Sequence, residues 1–237
     1  MKNITLWAAI LCMAVLPHAQ AVTLLAWDPG GLSGTWPEDW SSTSQGGTVT
    51  VDSGVQITAG LGRGSGTSLA GLNNGWGAGS INQTTRSAAE TDNDYLFFAL
   101  SPQAGYEMSL SSLDFNIRIP QAGWDAGNSR YIWQYKVGDG SFTDIGTEQS
   151  LVGDYNTNGA AQPTIDLSGI AALQNITEAV EFRVYAWGTA GQFVFGRQTG
   201  DDLVLVGSVG TVPEPSRFLL LSAAFAGLVL RRRRSLP

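Results

Sequence analysis

Two residue types in this sequence could do chemistry: tryptophans, and carboxylates that include one late pair of aspartates. The carboxylates Glu38, Asp39, Asp92, Asp94, Asp125 and Asp154 all lie in polar or glycine-rich stretches. Two carboxyl groups facing each other at about 5–9.5 Å could work as acid and base, or acid and nucleophile, on a glycosidic bond. Sequence spacing does not bring any two of them together, and Asp in such stretches commonly caps its own turn. Trp36, Trp40, Trp76 and Trp124 stand among Gly, Asp, Ser and Asn. A loop tryptophan with a polar neighbour can stack on the apolar face of a sugar ring, so these four are read as candidate carbohydrate platforms. Asp28 closes one apolar run and Asp201-Asp202 opens another. Oxygen donors of this kind suit calcium, but the two groups need not share a site, and the alternative for Asp201-Asp202 is a pair that merely starts a strand.

Absences narrow the list. The single Cys is Cys12 and the single His is His18. Both precede residue 22, so the segment from Val22 onward has no disulfide, no thiol nucleophile, no Cys/His zinc site and no Ser-His-Asp relay. The chain carries a net charge of −7. The stretch 22–210 is more acidic still, because Lys2, Arg217 and Arg231 to Arg234 fall outside it. Such a body does not seek phosphate backbones, and nucleic acid is excluded as a partner. The reading is of a non-enzyme, with a carboxylate-dependent glycan hydrolase or lyase as the weakest alternative.

The two ends are of a different composition. Lys2, the apolar run Ile4 to Leu16, Pro17 and Ala19-Gln20-Ala21 follow the order of a secretory signal peptide cut after Ala21, which names signal peptidase as a partner. At the other end, Pro213-Glu214-Pro215 precedes an apolar stretch, Phe218 to Leu230, and then Arg231, Arg232, Arg233 and Arg234. An apolar segment followed by a basic cluster predicts a membrane helix over about 216–230 with the arginines in the cytoplasm. This tripartite tail resembles the PEP-CTERM sorting signal. The resemblance implies recognition at Pro213, Glu214 and Pro215 by an exosortase, orientation by the four arginines, and anchoring in the inner membrane with the body outside the cytoplasm. Release to the cell surface, or to the extracellular matrix of a biofilm, would follow processing.

The sequence thus divides into 1–21, 22–210 and 211–237. Between the ends, short alternating runs are bounded by Gly, Asn, Asp, Ser or Pro, the pattern of an all-β sandwich. Strands are expected at 23–27, 48–51, 55–59, 95–100, 106–115, 131–137, 164–166, 179–187 and 203–209. Tyr131 to Ile145 reads as a hairpin turning at Asp139-Gly140. One helical turn is expected at 168–173, and 60–79 as a long loop or irregular strand pair. The opening strand Leu24 to Asp28, that hairpin and the closing strand Asp201 to Gly207 resemble jelly-roll domains related in shape to carbohydrate-binding modules. The resemblance implies that the first and last strands pair, and it makes Asp202, at the start of the closing strand, the candidate ligand for a structural calcium. The function expected is a structural protein of the cell surface or matrix, and its alternative a module that binds exopolysaccharide through loop tryptophans.

Overall fold

The computed structural model describes residues 20–32, 38–41, 47–69, 73–119, 128–153, 156–188, 191–196 and 199–212. They form two antiparallel sheets packed face to face. The strands in chain order are β1 (Val22–Asp28), β2 (Thr48–Val51), β3 (Val55–Arg63), β4 (Ser68–Leu69), β5 (Gly75–Ile81), β6 (Tyr95–Pro102), β7 (Tyr106–Ile119), β8 (Arg130–Val137), β9 (Thr143–Ser150), β10 (Asn156–Ala161), β11 (Ile165–Asp166), β12 (Val180–Trp187), β13 (Gly191–Gly196) and β14 (Leu203–Thr211). A short helix, α1 (Arg86–Asp92), precedes β6, and a single 3-10 turn covers Ala171–Leu173.

The larger sheet runs β2-β1-β14-β7-β13-β5-β4, with β10 and β11 also paired to β7. The smaller runs β3-β6-β12-β8-β9. The expected closure of first on last strand is present: Trp27 pairs with Leu203 and Val22 with Gly207. The hairpin turns where expected, with Gly138 at φ 52° and the Gly140 amide donating to the Val137 carbonyl at 3.0 Å.

Alternation explains the core. Leu113, Phe115 and Ile117 of β7 and Phe182 and Val184 of β12 are all buried, whereas their strand neighbours take the other face, partly exposed, hydrogen-bonded as Arg118 is, or covered as Tyr185 is. Between the sheets the rings interlock. Phe98 lies 5.1 Å from Phe182, 5.2 Å from Trp27 and 6.2 Å from Trp133, and Phe115 lies 5.4 Å from Trp133. Each such side chain contributes about 1.5–3 kcal/mol by leaving water, so a body without disulfides can rest on this layer.

Helix α1 is cut to length by its ends. Thr85 accepts from the Ala88 amide at 3.3 Å, and Asn93, at φ 61°, ends the helix in the left-handed region. Its Ala89 covers a second cluster on the outer face of the smaller sheet, with Ile132, Tyr185 and Trp187 and the partly buried Tyr95.

The all-β two-sheet sandwich expected from sequence is therefore supported, but the flanking membrane helix is not. Among the described residues no helix is long and apolar enough to cross a membrane. The 216–230 segment itself lies outside the described residues, as do residues 1–19 of the expected signal peptide. Inner-membrane anchoring, orientation by Arg231, Arg232, Arg233 and Arg234, and exosortase processing all depended on that helix. They are withdrawn, and with them the reading of a surface or matrix protein sorted by its tail.

Candidate functional site

A groove of about 460 Å³ opens where β3 ends and β6 begins. Its walls come from Glu38 and Asp39, from Arg63, from the turn Gly64, Ser65 and Thr67, from Ser68 and Leu69 of β4, and from Phe97.

Phe97 is there because of strand parity and a glycine. On β6, Leu96 and Phe98 point into the core, so Tyr95 and Phe97 take the opposite face and stay half-buried. Phe97 pairs with Gly62 across the β3–β6 ladder. A Cβ on Gly62 would come within 2.4–3.0 Å of three Phe97 ring carbons, so the glycine lets the ring rest where it does on the β3 backbone. Tyr95 stands beside it at 5.9 Å. The aromatic row continues through Arg183, whose guanidinium lies 4.4 Å from the Tyr95 ring and 3.8 Å from Phe142. Glu181 steadies that cation at 2.8 Å and Lys136 at 3.2 Å.

Arg63 is the groove's cation. Its Nε donates to the Gly77 carbonyl at 2.6 Å and its guanidinium lies 4.4 Å over the Trp76 ring. Burial pulls its pKa down to about 10, against the opposing pull of Glu38, so it remains charged at neutral pH. Asp39 is oriented by the Gly60 amide, which donates to its Oδ1 at 2.7 Å. Thr67 donates to the Gly64 carbonyl at 2.9 Å, and the Ser68 and Ser80 hydroxyls are 2.8 Å apart. The groove thus sets an apolar ring beside acceptors, a fixed cation and hydroxyls. That combination suits a polyhydroxylated ligand with one apolar face.

The tryptophans behave otherwise. Trp40 and Trp76, expected as platforms, are both 0% exposed. Trp40 forms a bridge with Leu61, and its carbonyl accepts from the Trp27 indole at 2.9 Å. Trp76 stacks on Phe195 at 6.5 Å and 8°. Neither ring can meet a sugar from solvent. The reason is the surrounding glycines: Gly47 and Gly60 let backbone close over Trp40, and Gly77 lets the Phe193 carbonyl approach to where its Cβ would be 2.1 Å away. Trp36 and Trp124 lie outside the described residues.

Asp202 is 1% exposed and serves the sheet. Its Oδ1 accepts from the Asn116 amide at 3.1 Å, its amide donates to the Trp27 carbonyl and its carbonyl accepts from the Asn116 amide N–H, both at 2.8 Å. Among the described residues no group of three or more His, Cys, Asp or Glu is placed to hold a metal, and Asp202 belongs to none. Antiparallel pairing does bring Asp28 near Asp201, whose pKa rises through burial and then through that neighbour.

The remaining carboxylates separate into two places. Glu38 and Asp39 reach the groove, and Asp92 and Asp94 sit at the α1–β6 corner. Asp125 and Asp154 lie outside the described residues, as do Pro213, Glu214 and Pro215. Arg63 and Phe97 were missed from sequence. Arg63 is the only charged residue in the stretch 60–79, and that was the available signal.

No protein-family model and no curated protein matches this chain. One solved structure that does is described as TmCBM61 in complex with β-1,4-galactotriose, with 17% identity and a TM-score of 0.26. The match covers 47% of this chain and 63% of that one, less than two thirds of its length. It is distant and partial.

Proposed function

We propose that this protein is a non-catalytic carbohydrate-binding β-sandwich whose binding surface is the groove beside Phe97. The observation that carries the reading is the groove itself: a half-buried aromatic ring, Arg63, Glu38 and Asp39, and the hydroxyls of Ser65, Thr67 and Ser68 around one opening. Apolar sugar faces pack on aromatic rings, and their hydroxyls both donate and accept. The described residues contain no histidine or cysteine, so a thiol or histidine-relay mechanism is not available to them, and turnover by the groove's carboxylates is left as an outcome of the test. The ligand class is a neutral or weakly charged polysaccharide, since the groove's carboxylates outnumber its cation.

Affinity electrophoresis of the full chain through gels containing neutral and acidic polysaccharides tests the reading. Retardation by at least one neutral glycan is expected, with loss of about tenfold in affinity for Phe97→Ala, the scale of a central aromatic anchor. Equal retardation of wild type and Phe97→Ala, or release of new reducing ends from the glycan, would contradict it.

A further inference from the structure

We propose that the Asp94 carboxyl is a proton switch on the groove: neutral, it seats the turn from Gly64 to Thr67 against β6, and ionised, it unseats that turn and weakens glycan binding. The inference rests on the carbohydrate reading of the groove and adds its regulation.

The turn hangs on the residues either side of Asp94. The Gly66 amide donates to the Asn93 carbonyl at 3.3 Å, and the Gly64 amide to the Tyr95 carbonyl at 2.8 Å. Thr67 closes the turn, its amide and its hydroxyl donating to the Gly64 carbonyl at 3.1 and 2.9 Å. The Asp94 side chain meets Gly66 between these two holds. A Cβ at Gly66 would stand 2.5 Å from Asp94 Oδ1 and 1.9 Å from the Asp92 carbonyl oxygen, so Gly66 packs directly on the carboxyl.

Asp94 is 1% exposed, and its buried Oδ2 has no hydrogen-bond partner. An ionised carboxylate so placed is costly, and a neutral carboxyl is much less so. The charges around it give no relief. Arg86, Glu90 and Asp92 come from α1, Tyr95 from β6 itself, Arg183 and Tyr185 from β12, and Arg63 from β3. Arg86 is engaged by Glu90 and Asp144, Arg183 by Glu181, and Arg63 by the Gly77 carbonyl. Among the described residues none of these three cations forms an ion pair with Asp94. The charge that bears on it is Asp92, whose Oδ2 accepts from Gln83. Burial first, and that like charge second, raise the Asp94 pKa to about 6.

Loss of the proton to solvent therefore leaves two like charges beneath Gly66. The new carboxylate gains hydration only if the turn lifts, and Gly64, Ser65 and Thr67 then move as one wall of the groove. Linkage sets the sign. A carboxyl whose pKa is raised by the seated turn favours that turn at low pH, and the preference is lost as pH rises to about 6. A glycan held by the seated wall must in return favour proton uptake.

Hydrogen–deuterium exchange of the full chain without glycan, at about pH 5 and about pH 7.5, tests the switch, with the amides of β12 as reference for the intrinsic pH dependence. The Gly64 and Gly66 amides should lose about tenfold in protection against that reference on going to the higher pH, and Asp94→Asn should keep them protected at both. Asp92→Asn should move the change to lower pH. Affinity for the neutral polysaccharide that most retards the wild type should fall about fivefold over the same interval, and that of Asp94→Asn should not. Equal protection of the turn at both pH values, the same loss in Asp94→Asn, or a turn that responds while glycan affinity stays constant overturns the proposal. Should Asp94→Asn fail to fold, Asp92→Asn decides: an unshifted midpoint overturns it. If the turn responds and no glycan binds at either pH, the groove reading falls while the response of the turn to Asp94 stands.

Discussion

The two faces of β6 carry the same kind of residue to opposite ends. Phe98 faces inward and is 1% exposed, locked among Trp27, Trp133 and Phe182. Phe97, one residue earlier, faces outward and stays half-buried on the Gly62 backbone. One aromatic holds the sheets together and the next is offered to a groove. The tryptophans teach the same lesson in reverse, since Trp40 and Trp76 sit in glycine-rich sequence and yet belong to the core. Which aromatic is available for a ligand follows from strand parity and from where backbone can close, not from the composition around it.

The comparison can be broken at several points. The largest effect is expected for Phe98→Ala, which should cost about 3–5 kcal/mol in urea unfolding, the usual penalty for emptying a buried aromatic site. Trp76→Ala should fall in the same range, and a stable Trp76→Ala protein with reduced glycan affinity only would contradict its place in the core. Phe97→Ala should cost under about 1 kcal/mol of stability, as surface positions do, while losing glycan affinity.

Next in size is a pH effect at Asp94. Its folded pKa, about 6, is raised above the ordinary 3.8, so the folded state holds the proton more tightly. The contribution of Asp94 to stability should be greatest below pH 4, fall as pH rises to about 6, and stay low beyond. Asp94→Asn should flatten that limb in thermal unfolding curves, and Asp92→Asn should shift it downward. The smallest effect belongs to Arg86, which bridges Glu90 and Asp144 at 2.8 Å on the surface. Arg86→Ala should cost under about 1 kcal/mol, with a dependence on salt.

Much of the sandwich was readable because alternation is a direct consequence of burying one face. Leu113, Phe115 and Ile117 announce β7, and Phe182 and Val184 announce β12. The pairing of β1 with β14 was implied by the resemblance of the body to jelly-roll domains and not by any pattern within the two strands. Of the two readings of 60–79, the irregular strand pair is the one the β4–β5 pairing matches, but the extent of β5 was hidden because its sequence, GWGAGSI, has the composition of a loop. Its glycines are there to let the neighbouring strand's carbonyl approach, which no local pattern reveals. α1 was missed because seven residues with one buried alanine carry almost no periodic signal. The groove was hidden for a related reason: Tyr95 to Leu100 is apolar at nearly every position, so its two faces look alike until the sheet assigns them. The carboxylates at 38, 39, 92 and 94 were visible as residues, but only the fold sorts them into a groove and a corner.

The most direct test of the central claim is hydrogen–deuterium exchange of the full chain, with and without a polysaccharide that retards it. Protection should concentrate on 38–41, 62–69 and 95–98, and disappear in Phe97→Ala. Protection confined to other surfaces, or unchanged by that substitution, would contradict the assignment of the groove.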